Sequence, residues 1–290
     1  MRLASKICAK RAAIGVLVWH ALWFTGCVFP ATVSESSGSV GMASKGVLMR
    51  GEPLPNQGQG YVRARPGDPT RWATPRLVGA LQRAAASVAH HFAPAAPLRI
   101  GDLSSEMGGA HSRHGSHRSG RDADVMFYLT DLQGVSVRGM GWLAINRYGY
   151  AKENTKPGGS KGSGKLFFFD EARNWHFVRT LLLDPLIDVQ WIFCSNGVKN
   201  RLLNYAAIHE PRADVLVQAT WVLHRPSQAR AHDDHFHVRV MCSAEERLSG
   251  CIDQAPLWPW WRRKPDAWNW RAEAILGDTE LIQELMQASQ

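Results

Sequence analysis

Two short runs gather the side chains best suited to holding a metal and moving protons. They are His-Gly-Ser-His-Arg-Ser-Gly-Arg-Asp-Ala-Asp at 114–124 and His-Asp-Asp-His-Phe-His at 232–237. His117 and Asp124 are separated by six residues, and the Ser119-Gly120 turn between them lets the histidine return over the start of the following segment. His235 and His237 stand two apart in an extended stretch, so their side chains share a face. Two imidazoles and a carboxylate are the ligand set of a catalytic zinc, with water in the fourth position. His117, Asp124 and His237 are therefore the expected ligands of one Zn2+. His114, His232 and His235 remain as surplus imidazoles, and Asp122 lies on the same face as Asp124 as an acceptor for a ligand histidine. An isolated His-x-His arises by chance, but two matched clusters argue against coincidence.

These residues need elements to hold them. Leu77, Val78, Leu81, Ala84, Val88 and Ala89 recur at helical spacing and predict a helix over 75–92, with prolines 94 and 97 beyond it. Residues 98–100 read as a strand leading to the Gly108-Gly109 turn. Residues 122–129 alternate as a strand, with Asp122, Asp124 and Met126 on one side. Glycines and lysines over 152–165 mark a loop. A helix is expected over 170–183, a strand over 189–193 and a short helix after Asn196, while 215–223 and 235–240 are read as neighbouring strands. The mixture predicts an α+β fold with a small central antiparallel sheet, helices and long loops.

The ends have a different texture. Arg2, Lys6, Lys10 and Arg11 precede an apolar run over 12–24 that is too short for a comfortable membrane span, as in an export signal over 1–26. Two processing routes are open: acylation of Cys27, which would anchor the protein to a membrane, or ordinary cleavage before Ser34. Residues 27–44 are read as a flexible linker, small and polar over 33–44. Removing the leader lowers the formal charge from +9 to +5. That balance suits an anionic envelope polymer. Helix-turn-helix, ribonucleoprotein and zinc-finger patterns are all missing from the sequence, so no nucleic-acid partner is expected. Cys242 and Cys251 flank a short polar segment suited to a disulfide, and Cys194 sits in an apolar run as a buried thiol. Residues 256–290 form a tryptophan-rich basic tail whose end carries Leu281, Ile282, Leu285 and Met286 at helical spacing. Its tryptophans are expected to pack the tail against the domain over 45–255.

The two histidine runs also carry a family resemblance. His117, Asp124, His235 and His237 meet the His-x6-Asp and His-x-His pattern of the zinc peptidases grouped with lysostaphin, the D-Ala-D-Ala metallopeptidases and the hedgehog N-terminal domain. The first run, with His114, and His-Asp-Asp-His-Phe-His-Val-Arg at 232–239 resemble the motifs of the penicillin-insensitive murein endopeptidases. Ser39–Gly46, Gly51–Pro55 and Ile100-Gly-Asp102 are similar too, so the likeness spans about residues 38–255. The tail is not covered, and the leader departs from an ordinary periplasmic signal.

The resemblance implies the hedgehog-type fold, a periplasmic location, peptidoglycan as partner and cleavage of D-alanyl–meso-diaminopimelyl cross-links. His235 is expected to take and return the proton, with His232 or His114 orienting it or hydrogen-bonding the tetrahedral intermediate. His111 and Arg239 lie at the margin of this set, and His90, His91, His176, His209 and His224 are read as structural or solvent-facing. Competing readings are a D,D-carboxypeptidase or dipeptidase acting on stem peptides, and a wall-binding module without catalysis.

Overall fold

The computed structural model describes residues 37–139, 141–153, 164–227 and 231–260. The leader, Cys27 and the closing helix of the tail lie outside these residues. The described part is α+β, with five helices and several sheets. The largest sheet has seven strands in the order Leu223–His224, Val189–Phe193, His235–Val240, Asp122–Met126, Leu98–Ile100, Tyr61–Arg63, Gln57–Gly58. It corrects the expected small antiparallel sheet. Two of its pairings are parallel, Val189–Phe193 with Leu223–His224 and Tyr61–Arg63 with Leu98–Ile100. In each case a helix lies between the partners in the chain, and a crossover of that length permits parallel pairing.

Helix Pro75–His91 opens with a proline at its start, where no backbone donor is needed, and buries Leu77, Val78, Leu81, Ala84 and Val88. Helix Glu171–Leu183 is capped by Asp170, which accepts from the Arg173 amide, and Ser195 caps helix Asn196–His209 in the same way. The segment expected as a strand over 215–223 is helix Ala213–Val222. Its valines suggested extension, but the buried positions are Val215, Ala219 and Val222, at the three-to-four spacing of a helix face. Only Leu223–His224 is extended. The strand read over 122–129 stops at Met126, and Leu129–Thr130 joins a separate four-stranded antiparallel sheet.

The expected linker also changes at its end. Gly38–Met42 pairs antiparallel with Lys45–Met49, and Ser39 and Leu48 are buried. The Ser39 amide donates to Glu246, and Gly41 bridges to Cys251. Small residues are used there because the strand lies close to other backbone, not because the segment is a tether. Cys242 and Cys251 form a disulfide, and Cys194 is a buried free thiol whose burial pushes its pKa up to about 12. Trp258 is buried and donates to the Gln190 carbonyl at 2.7 Å, so the start of the tail packs against the sheet. Among the described residues no helix is long and apolar enough to cross a membrane.

Candidate metal centre

Strand pairing builds the centre. Asp122–Met126 and His235–Val240 run antiparallel with His237 opposite Asp124, Arg239 opposite Asp122 and His235 opposite Met126. Directly paired residues point to the same side of a sheet, so the histidines and aspartates converge on one face. The alternate residues, Ala123, Val125, Phe236 and Val238, are fully buried in the core on the other. This two-residue period fixes the site, since a register slip of one in either strand would turn its histidines or aspartates toward the core.

The first histidine run returns over the strand through a strained turn. His117 has φ of 60° and Gly120 of 74°, and the His117 amide donates to Asp122 Oδ2 at 3.0 Å. His232 also holds a positive φ, of 49°. Such backbones cost on the order of 1–3 kcal/mol in non-glycine residues and persist where surrounding structure imposes them.

His117 Nε2 lies 3.2 Å from Asp124 Oδ1, and His237 Nδ1 lies 3.7 Å from the same oxygen. His114 Nε2 is 3.3 Å from Asp124 Oδ2, and His235 Nε2 is 3.4 Å from Oδ1. The His232 ring is 5.0 Å from that of His235 and 5.5 Å from that of His237. All six residues singled out in the sequence therefore meet. His117 and Asp124 are completely buried, yet both ring nitrogens of His117 and both carboxylate oxygens of Asp124 lack an aligned hydrogen-bond partner. Buried polar atoms are nearly always satisfied. An orphaned imidazole nitrogen facing an orphaned carboxylate is what a cation would satisfy, and nitrogen with carboxylate oxygen suits zinc.

Around this pair the electrostatics divide the histidines. Burial and repulsion from His117 lower His237 to about 4, keeping it neutral, while its Nε2 is bound at 3.0 Å to Asp122 Oδ1. Burial opposes the charge on Asp122, but Arg239, donating from Nε at 2.6 Å, and His237 hold it well below the usual carboxylate range. His237 thus has one nitrogen fixed by a carboxylate and the other turned toward Asp124, the arrangement of a ligand with outer support. Burial also disfavours charge on His235, but Asp124 and Asp234 outweigh it and raise the imidazole to about 9. Trp142 packs against His235 in a T-shaped contact with ring centroids 4.9 Å apart.

The structure adds residues that sequence spacing left without a role. His114, His117 and Asp124 form one cluster of ligand atoms within 4.8 Å of one another, and Asp102, His111 and His114 form a second. His114 is thus as close to Asp124 as the expected ligands are. Asp102 and Trp142 come from separate loops, and only the fold brings them here. Ile100-Gly-Asp102 was visible as a motif, but its partners, Arg65 and Arg113, lie on other segments. His176 lies apart from the centre, bound to Ser87 and stacked on His91.

Residues 39–140 match the family described as penicillin-insensitive murein endopeptidase. Over these residues the chain is similar to that family. A penicillin-insensitive murein endopeptidase of Haemophilus influenzae is 26% identical over 227 residues, 75% of this chain and 68% of its own. One from Yersinia pestis is 26% identical over 226 residues, covering 77% and 72%. One from Klebsiella pneumoniae is 25% identical over 225 residues, covering 77% and 73%. The match takes in the first histidine run, and the alignments reach across most of the described domain.

Proposed function

We propose that this chain is a zinc-dependent murein endopeptidase of the lysostaphin and hedgehog-type group, hydrolysing D-alanyl–meso-diaminopimelyl cross-links. The observation that carries the reading is the orphaned, fully buried His117–Asp124 pair in register with His237. The names of the relatives supply the substrate class. His117, Asp124 and His237 would hold the metal. A zinc there would acidify water and polarise the scissile carbonyl. With a cation neutralising Asp124, which otherwise raises the imidazole, His235, held by Asp234 at Nδ1, would take the proton of the attacking water and return it to the leaving amine. His232 and His114 flank it and hydrogen-bond the tetrahedral intermediate. Asp122 keeps His237 in one tautomer, and Arg239 keeps Asp122 charged.

The same reading assigns residues 1–26 to an export signal and the protein to the periplasm, with Cys27 as the acylation point if a membrane anchor forms. The catalytic unit would then run to about residue 255, with the basic tail after it. Purified sacculi treated with zinc-loaded protein, with and without chelator, test the activity by mass analysis of the fragments. Conversion of cross-linked dimers to monomers, abolished by chelator, is the expected result. Release of free D-alanine without loss of dimers would make the protein a carboxypeptidase, and no change at all would leave a wall-binding module.

A further inference from the structure

Asp102 stands at the hub of an ion-pair network whose far side is the candidate centre. It is 1% exposed, and its carboxylate accepts from Arg65 Nη1 at 2.9 Å on both oxygens. Arg113 donates to the same carboxylate from Nε and Nη2, each at 2.8 Å, and the Thr70 hydroxyl adds a bond of 3.1 Å. Asp68 braces the arrangement by accepting from Arg113 at 2.8 Å. The remaining close contact of Asp102 is His114 Nε2, at 3.0 Å from Oδ2. The main chain of Asp102 is tied to the other partner of His114. Its carbonyl accepts from the Asp124 amide at 2.9 Å, and the preceding Gly101 amide donates to the Asp124 carbonyl at 2.8 Å.

We propose that Asp102 is a positioning residue that fixes the ring of His114, and with it the tautomer of that imidazole, relative to Asp124. The inference rests on the reading of His114 given above. Two guanidinium groups and a hydroxyl fill the carboxylate's other acceptor directions, so its orientation is set without His114. The imidazole must then meet an oxygen that is already in place. An ionised acceptor takes the Nε2 proton, which leaves Nδ1 as the basic nitrogen, able to accept from a hydroxyl of the tetrahedral intermediate but not to donate to its oxyanion. The alternative use of this cluster, a second cation held by Asp102, His111 and His114, is disfavoured by the same contacts. Both Asp102 oxygens are engaged, and two guanidinium charges already sit within hydrogen-bonding distance of the carboxylate that would bind the ion. Arg65 also lies 5.4 Å over Trp142, which meets the His235 ring in a T-shaped contact, so the clamp extends to His235.

The test combines a double-mutant cycle with a spectroscopic readout on the zinc-loaded protein. Asp102→Asn should lower kcat by about 10–100-fold with little change in KM and about one zinc per chain retained. If Asp102 acts through His114, combining Asp102→Asn with His114→Ala costs no more than His114→Ala alone, whereas independent structural damage multiplies. Multiplying losses, or loss of zinc from Asp102→Asn, would overturn the proposal. So would two zinc ions per wild-type chain with one lost in Asp102→Asn. Long-range 15N–1H spectra of the wild-type protein need no variant to fold and no turnover. A single Nε2–H tautomer for His114 is expected, and an Nδ1–H tautomer or a mixture overturns the assignment even if murein is cleaved. Cleavage by the wild type in the same assay separates the failure of this proposal from failure of the endopeptidase reading.

Discussion

At the scale of residues the centre contains three kinds of histidine, and their environments separate them. His117 is buried with both nitrogens unsatisfied, His237 is neutral and tied to Asp122, and His235 sits between two carboxylates. Ligation and proton transfer should therefore respond differently to mutation. Asp124→Ala and His117→Ala are expected to lose both bound zinc and hydrolysis. His235→Ala should keep the zinc and lose about 10²–10⁴-fold in kcat. Metal analysis beside a turnover assay checks this, and zinc loss in His235→Ala would sink the division of roles. The six imidazole and carboxylate positions were legible because motif spacing and strand alternation are local properties. Asp102 and Trp142 were not, because their roles come from neighbours far away in sequence: Arg65 to Asp102 spans 37 residues, and Trp142 meets His235 across two loops.

At the scale of elements the loop carrying His117 depends on the hairpin beneath it. The Leu48 amide donates to the Met107 carbonyl, and the Arg118 carbonyl accepts from the Gly109 amide at 2.8 Å. Gly108, with φ of 67°, has no room for a side chain, since a Cβ would fall 2.2 Å from the Arg118 carbonyl oxygen and 2.6 Å from the Leu48 nitrogen. Gly108→Ala should destabilise the fold by about 1–3 kcal/mol or more through backbone strain alone. A lower urea midpoint at unchanged slope is the expected signature, and a midpoint equal to the wild type would show that the loop is free to shift. Sequence periodicity located helix Pro75–His91 and strand Val189–Phe193 well. It failed over 215–223, where three valines favour extension but the side that becomes buried is decided by contacts with helices Glu171–Leu183 and Asn196–His209 and with the sheet.

At the scale of the whole molecule, Arg121 joins the back of the centre to the Ile252-Asp253 segment after the disulfide. Its buried guanidinium donates to Asp253 at 2.8 Å, to Ser39, and to the Val240 and Ile252 carbonyls. Asp253 also accepts from the Cys242 amide and from Arg247, beside the Cys242–Cys251 disulfide. Asp253→Ala would leave a buried charge without its partner, a change expected to cost about 3–5 kcal/mol. Equilibrium unfolding measures it, and a loss under about 1 kcal/mol would mean that water reaches Arg121. Zinc should raise the Tm of the wild-type protein in proportion to the logarithm of its free concentration, because only the folded state assembles the ligands. The same titration on Asp124→Ala should show no such rise, and a wild-type-like rise there would place the metal elsewhere.

What the amino-acid order determined by itself was a candidate metal site, with Asp124 and His237 at positions that strand alternation turns onto one face, together with a disulfide pair and an α+β mixture. Those properties depend on neighbours within a few residues. The tertiary structure decided the rest. The register of Asp122–Met126 against His235–Val240 set His237 opposite Asp124, and closure of the 117–120 turn over that strand buried the pair without partners. Only the folded chain could bring Arg65, Arg113 and Asp102 behind His114, because each contact depends on loops whose paths are fixed by packing rather than by local sequence.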